Sequence, residues 1–163
     1  MSIVNPAIEP IKFLIGTWEA VQAKGHYPTI EDFSYNETIT FDSIGQPLLN
    51  YNSKSFHPET KKPMHFESGF LRINPGTNNL AFMVSHNFGL VILEEGTVSP
   101  DENKITLESK TIARMSFSKD PEVTGLRRTI QLLDNGNIKI LTDMRTSRTE
   151  YTNHLEVNYK KIE

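Results

Sequence analysis

Apolar and polar positions alternate with a period of two along most of this chain, the pattern of half-buried β-strands. In residues 152–160, Leu155, Val157 and Tyr159 share one face of such a strand, and His154, Glu156 and Asn158 share the other. The same alternation marks residues 33–41 through Tyr35, Ile39 and Phe41, and it marks their partner, residues 48–56. Residues 64–73, 80–84 and 90–93 follow, then a strand around Ile105 and Leu107, and a continuation over 111–117 after a bend. Residues 126–133 and the face formed by Ile138, Ile140, Thr142 and Met144 flank Asp134-Asn135-Gly136-Asn137, a strong hairpin turn. Other turns fall at 42–47, at the polar loop 57–63, at 75–79, at Asn87-Phe88-Gly89 and at 99–103.

The chain opens differently. Residues 6–15 are the one helix candidate, limited by Pro10 to a turn or two and stopped by Gly16. Phe13 and Leu14 are placed to plug one end of a barrel. Trp18, the only tryptophan, opens the first strand as a core residue. Gly25 is expected to break that strand, and Pro28 to make 26–30 a turn or loop. The expected fold is therefore all-β: one domain over residues 1–163, an antiparallel barrel of about ten strands with one short N-terminal helix. Closure removes exposed edges.

Composition narrows the function. The chain has 163 residues, 37% of them apolar, and a net charge of −3. That charge argues against a phosphate-binding surface, so no nucleic-acid partner is expected. There is no cysteine, which excludes thiolate catalysis and zinc–thiolate sites. Nothing resembles a signal peptide or a membrane span, so the expected location is cytoplasmic, with the nucleus second, and no membrane partner is expected.

The sequence holds no phosphate loop, no helical metal spacing and no serine elbow. The carboxylates read mostly as solvated charge in turns. His57 reads as solvated and His86 as a rim or surface residue. His26 and His65 are candidates to line a cavity, although each has an ordinary structural role as well. His154 alone carries little weight. An apolar barrel with several methionines and one C-terminal histidine suits a hydrophobic ligand, and periodicity does not choose between haem and lipid.

Particular residues go further. Gly16-Thr17-Trp18, Tyr27-Pro28-Thr29-Ile30, residues 64–72 (MHFESGFLR) and His154-Leu155 occur in this order. Together they resemble the nitrobindin family of haem-binding β-barrels over nearly the whole chain. The stretches 56–65 and 158–161 resemble the branch of that family whose barrel accompanies a zinc finger; no such finger is present, and no DNA binding carries over. The resemblance implies a ten-stranded barrel related to lipocalins and fatty-acid-binding proteins. It implies haem b with ferric iron, His154 as axial ligand, Thr29 as a haem contact, and Met64, His65 and Met144 as pocket-lining residues. It also implies nitric oxide binding and conversion of peroxynitrite to nitrate, in a pocket whose face opposite His154 is apolar and lacks a strong acid or base. A homodimer is the candidate assembly. Two glycines of the family pattern are replaced by Ala20 and Gln22.

Two points stay open. Strict alternation puts His154 opposite Leu155 and Val157, so it faces the interior only if those two pack outside or a bulge re-aims it. The alternative function is a non-enzymatic carrier of fatty acid or another hydrophobic ligand, with Arg127, Arg128 or Tyr159 meeting its carboxylate.

Overall fold

The computed structural model describes residues 3–163. A 3-10 helix, Pro6–Leu14, precedes β1 (Gly16–Tyr27), β2 (Ile30–Ser34), β3 (Asn36–Ser43), β4 (Leu48–Phe56), β5 (Pro63–Ile73) and β6 (Asn79–His86). Then come β7 (Leu90–Ser99), β8 (Lys104–Arg114), β9 (Val123–Leu132), β10 (Ile138–Thr146) and β11 (Thr149–Lys161). From β3 onward each strand pairs antiparallel with the next, and β11 pairs back onto β1. The sheet is a closed meander. β2 and β3 are separated by Tyr35 alone and pair with opposite ends of β1, so they form one bent strand. Counted that way the barrel has ten strands, as expected.

The helix closes one end. A 3-10 helix turns every three residues, so positions i, i+3 and i+6 share a face. Ile8, Ile11 and Leu14 have that spacing, and all three are fully buried. The helix runs through Pro10, longer than expected, and Asn5 caps it by accepting from the Ala7 N–H at 2.9 Å. Phe13, expected in the plug, is only partly buried. The Trp18 Nε1–H donates to the Leu14 carbonyl at 2.8 Å, tying the plug to β1. Phe41, Leu49, Leu71, Ile73, Phe82 and Ile105 complete the apolar core at this end.

Strand direction alternates, so the turns at 28–29, 57–62, 87–89, 115–122 and 147–148 gather at the other end, the mouth. Gly25 does not break β1. A Cβ there would meet the Phe33 ring at 2.1 Å, so glycine makes room for an aromatic ring. The bend expected before Thr111 is a bulge within β8, where Lys110 is the extra residue between Ser109 and Thr111. Met115 and Phe117 lie beyond that strand, exposed in the mouth loop. Gly69 marks a close approach rather than a bulge: its Cβ would sit 1.8 Å from the Met83 carbonyl oxygen. The position that replaces a family glycine at Ala20 packs against the core, while Gln22 is exposed. Val21 between them is a bulge facing solvent.

Candidate functional site

A bulge decides where His154 points. In the β10–β11 ladder Thr142 pairs with Leu155 and Asp143 with Asn153, so His154 is an extra residue with no partner of its own. The β1–β11 ladder ends at the pair Gly25–Leu155, which leaves the His26 carbonyl beyond it. His154 Nδ1 lies 3.0 Å from that oxygen. A carbonyl only accepts, so Nδ1 carries the proton and Nε2 presents its lone pair. Burial holds the ring's pKa below the ordinary histidine value, so at neutral pH it is the neutral imidazole. Tyr27 meets it edge-on at 5.4 Å between centroids and Phe33 lies 6.4 Å away.

His154 faces the barrel's interior at the mouth, and so does Leu155. Three adjoining hollows share His154 and Phe88 in their walls. One is floored by Tyr35, Glu37 and Glu67 and has a volume of about 280 Å³, close to the lower end for small-molecule sites. Of the residues expected there, Met64, His65 and Met144 all line these hollows. Thr29 does not: it is exposed in the turn between β1 and β2 and lines none of them.

The wall is not uniformly apolar. Glu37, Glu67, His65 and His86 face the same space, contrary to the expectation of a pocket without strong acid or base. Arg128 is the hub. Its Nε lies 3.0 Å from both Glu94 oxygens, and its Nη2 lies 2.9 Å from Glu67 Oε1. Burial alone would raise the Glu67 pKa; Arg128, His65 and His86 outweigh it and hold the carboxyl down at about 2. Glu94 goes the other way, raised by burial that Arg128 only partly offsets. No cation among the described residues contacts Glu37. It accepts from Tyr159 and from Ser53 at 3.0 Å, and burial pushes it up to about 7, with Glu67 adding repulsion. The Tyr35 hydroxyl is buried without a hydrogen-bond partner among the described residues.

His65 Nε2 and His86 Nδ1 are 2.8 Å apart. Burial lowers both pKa values, that of His86 to about 4. His86, expected at the rim, is 8% exposed. The period of two could have found it, because it is in phase with the inward Phe82 and Val84. Glu37 is likewise in phase with Ile39 and Phe41, and Glu94 with Leu90 and Ile92. Their charge argued for solvent; Arg128 overrode it for Glu94, and hydrogen bonds from Tyr159 and Ser53 hold Glu37 inside.

None of the three groups that the carrier reading needs for a ligand carboxylate is free to meet one. Arg128 is paired with two glutamates, and Tyr159 donates to Glu37. Arg127 lies outside, 3.8 Å over the Tyr151 ring and 3.4 Å from Glu108.

The sequence and fold have known relatives. Residues 7–161 match the family described as the THAP4-like, heme-binding beta-barrel domain. Over 98% of this chain, 41% of residues are identical to the Homo sapiens peroxynitrite isomerase THAP4, although the chain spans only 27% of that protein. A peroxynitrite isomerase of Arabidopsis thaliana, named Rv2717c, is 33% identical over 98% of this chain and 91% of its own. The crystal structure of Rv2717c from M. tuberculosis superposes with a TM-score of 0.88 at 28% identity, covering 98% of this chain and 99% of that one. With the barrel, its plugged and open ends and the inward histidine all accounted for, the chain belongs to the nitrobindin-type, THAP4-like haem-binding β-barrel family.

Proposed function

We propose that the chain binds ferric haem b through His154, binds nitric oxide, and isomerises peroxynitrite to nitrate. The observation that carries this reading is the bulge that turns His154 into the cavity with Nδ1 held by the His26 carbonyl. A ligating histidine ordinarily has its second nitrogen fixed in this way, which sets the tautomer and the ring orientation. The names of relatives 31–41% identical to the chain support the same chemistry.

When bound, the haem would supply the iron at which a reactive nitrogen species rearranges. The rest falls to the protein. His26 and the rings of Tyr27 and Phe33 hold the imidazole in place. Met64, Leu90, Val123, Met144 and Leu155 provide apolar walls that exclude water. Thr29 enters this reading only as a rim contact, so Thr29→Ala should matter far less than His154→Ala.

The test is a titration of the chain and of His154→Ala with ferric haem, read at the Soret band, followed by stopped-flow decay of peroxynitrite with nitrate measured. The expected result is one haem per chain, binding weakened at least roughly tenfold in the variant, and faster decay with haem-loaded than with haem-free protein. An unchanged Soret band in His154→Ala would overturn the ligand assignment. Equal decay rates for loaded and haem-free protein would overturn the isomerase.

A further inference from the structure

A second set of potential ligands sits on one strand pair in the wall of the cavity that His154 also lines. On β5, His65 and Glu67 are two residues apart and share the inward face. On β6, His86 is the register partner of Glu67. Period-two geometry with one cross-strand neighbour therefore brings two imidazoles and a carboxylate together. His65 Nε2 and His86 Nδ1 are 2.8 Å apart, and His86 Nδ1 lies 3.6 Å from Glu67 Oε1. One ligand atom from each residue falls within 4.8 Å of the others.

We propose that His65, Glu67 and His86 form a binding site for a divalent transition-metal ion, separate from His154. The donor set selects the class of metal: two imidazole nitrogens and one carboxylate suit zinc or ferrous iron, whereas calcium and magnesium take oxygen ligands. The spacing fits. A tetrahedral ion at about 2.05 Å from each donor sets the donors about 3.3 Å apart. The two nitrogens need to open by about half an ångström and the nitrogen–oxygen pair to close by about 0.3 Å. Three protein ligands leave a position open toward the cavity that His154 also faces.

The surroundings permit the ion. Glu67 Oε1 accepts from Arg128 Nη2 at 2.9 Å and keeps a second lone pair, while Oε2 takes only a long contact from the Tyr51 hydroxyl at 3.4 Å. Arg128 is already offset by Glu94, so Glu67 brings net negative charge. The strands that carry the ligands are fixed before any ion arrives. The Ser55 hydroxyl accepts from the His65 N–H and donates to its carbonyl, both at 3.0 Å. Asn87 Oδ1 accepts from the Phe66 N–H at 3.0 Å, and Nδ2 donates to the Met64 carbonyl at 3.2 Å. Such preorganisation is what a metal site requires of its supports.

The experiment uses the full chain without a histidine tag, haem-free and haem-loaded. Zinc is titrated calorimetrically and cobalt(II) by its visible absorption. One ion should bind per chain, with affinity weakened at least roughly tenfold in His86→Gln and unchanged in haem-free His154→Ala. Should His86→Gln fold poorly, the unmutated chain still decides: zinc should move the ring nitrogen signals of His65 and His86 in nitrogen-15 spectra and leave those of His26 and His57 in place. Binding weaker than roughly 100 µM, binding that survives His86→Gln in a folded variant, or shifts confined to His26, His57 or His154 would overturn the proposal. The Soret titration is read separately, so failure here leaves the haem reading standing.

Discussion

Glu37 offers the sharpest test of the buried polar network. Its carboxyl is pushed from about 4.5 to about 7, chiefly by burial. An upward shift means that the folded state holds the proton more tightly than the unfolded chain does. Below pH 4.5 both states are protonated and the residue has no pH-dependent effect. Between about 4.5 and 7 the folded protein loses stability, because the unfolded chain ionises freely and the folded one does not. Above 7 both ionise and the loss is complete. The change from 4.5 to about 7, at about 1.36 kcal/mol for each factor of ten in proton affinity, amounts to about 3 kcal/mol at pH 8.

Glu37→Gln removes this titration and keeps the shape. The amide oxygen can accept from Tyr159, and the amide N–H can donate to Ser53, whose hydroxyl also accepts. Urea unfolding of both proteins from pH 4.5 to 8 isolates the effect in the difference between the two curves. The shifted histidines and Glu67 contribute to both proteins and cancel to first order. The variant should gain on the parent by about 3 kcal/mol across the range, most of it between pH 5 and 7. A difference curve flat over that interval would mean that Glu37 is not held protonated and that burial does not govern its titration.

Two further substitutions probe the frame of the site. Arg128→Met leaves Glu67 and Glu94 buried without their cation, and should cost about 3–5 kcal/mol at pH 7 by urea denaturation; a loss under about 1 kcal/mol would deny Arg128 its role as hub. Gly25→Ala drives a Cβ into the Phe33 ring and should cost about 1–3 kcal/mol. Adding Phe33→Leu should recover much of that, and a double variant no more stable than Gly25→Ala would place the strain elsewhere.

The barrel was legible because its signal is repeated. Ten strands alternate, joined everywhere but at Ser147-Arg148 by connections that contain glycine, proline, asparagine or aspartate, and a local error such as the break expected at Gly25 does not change the topology. The plug was legible in part: Leu14 is buried as expected, Phe13 only partly, and Pro10 suggested a shorter helix than the one that forms. The buried acids were present in the alternation and were discounted because a lone carboxylate belongs in water. Only the register that brings Arg128 between Glu67 and Glu94, from strands far apart in sequence, reverses that expectation.

His154 could not have been settled by any count of residues. A two-residue period admits one inward side chain in two, yet His154 and Leu155 both face the cavity. The bulge makes this possible by withdrawing one residue from the β10–β11 ladder, and nothing at Asn153 or His154, neither glycine nor proline, announces it. Its cause is non-local. β1 and β2 slip register between Gly25 and Tyr27, and the β1–β11 ladder stops at Gly25. His26 is thus left with a carbonyl outside the ladder, opposite a histidine outside the ladder. The hydrogen bond between them satisfies both irregularities and fixes the imidazole at once. The element that aims the candidate ligand is therefore a pair of facing defects 128 residues apart, and it exists only after the barrel has closed.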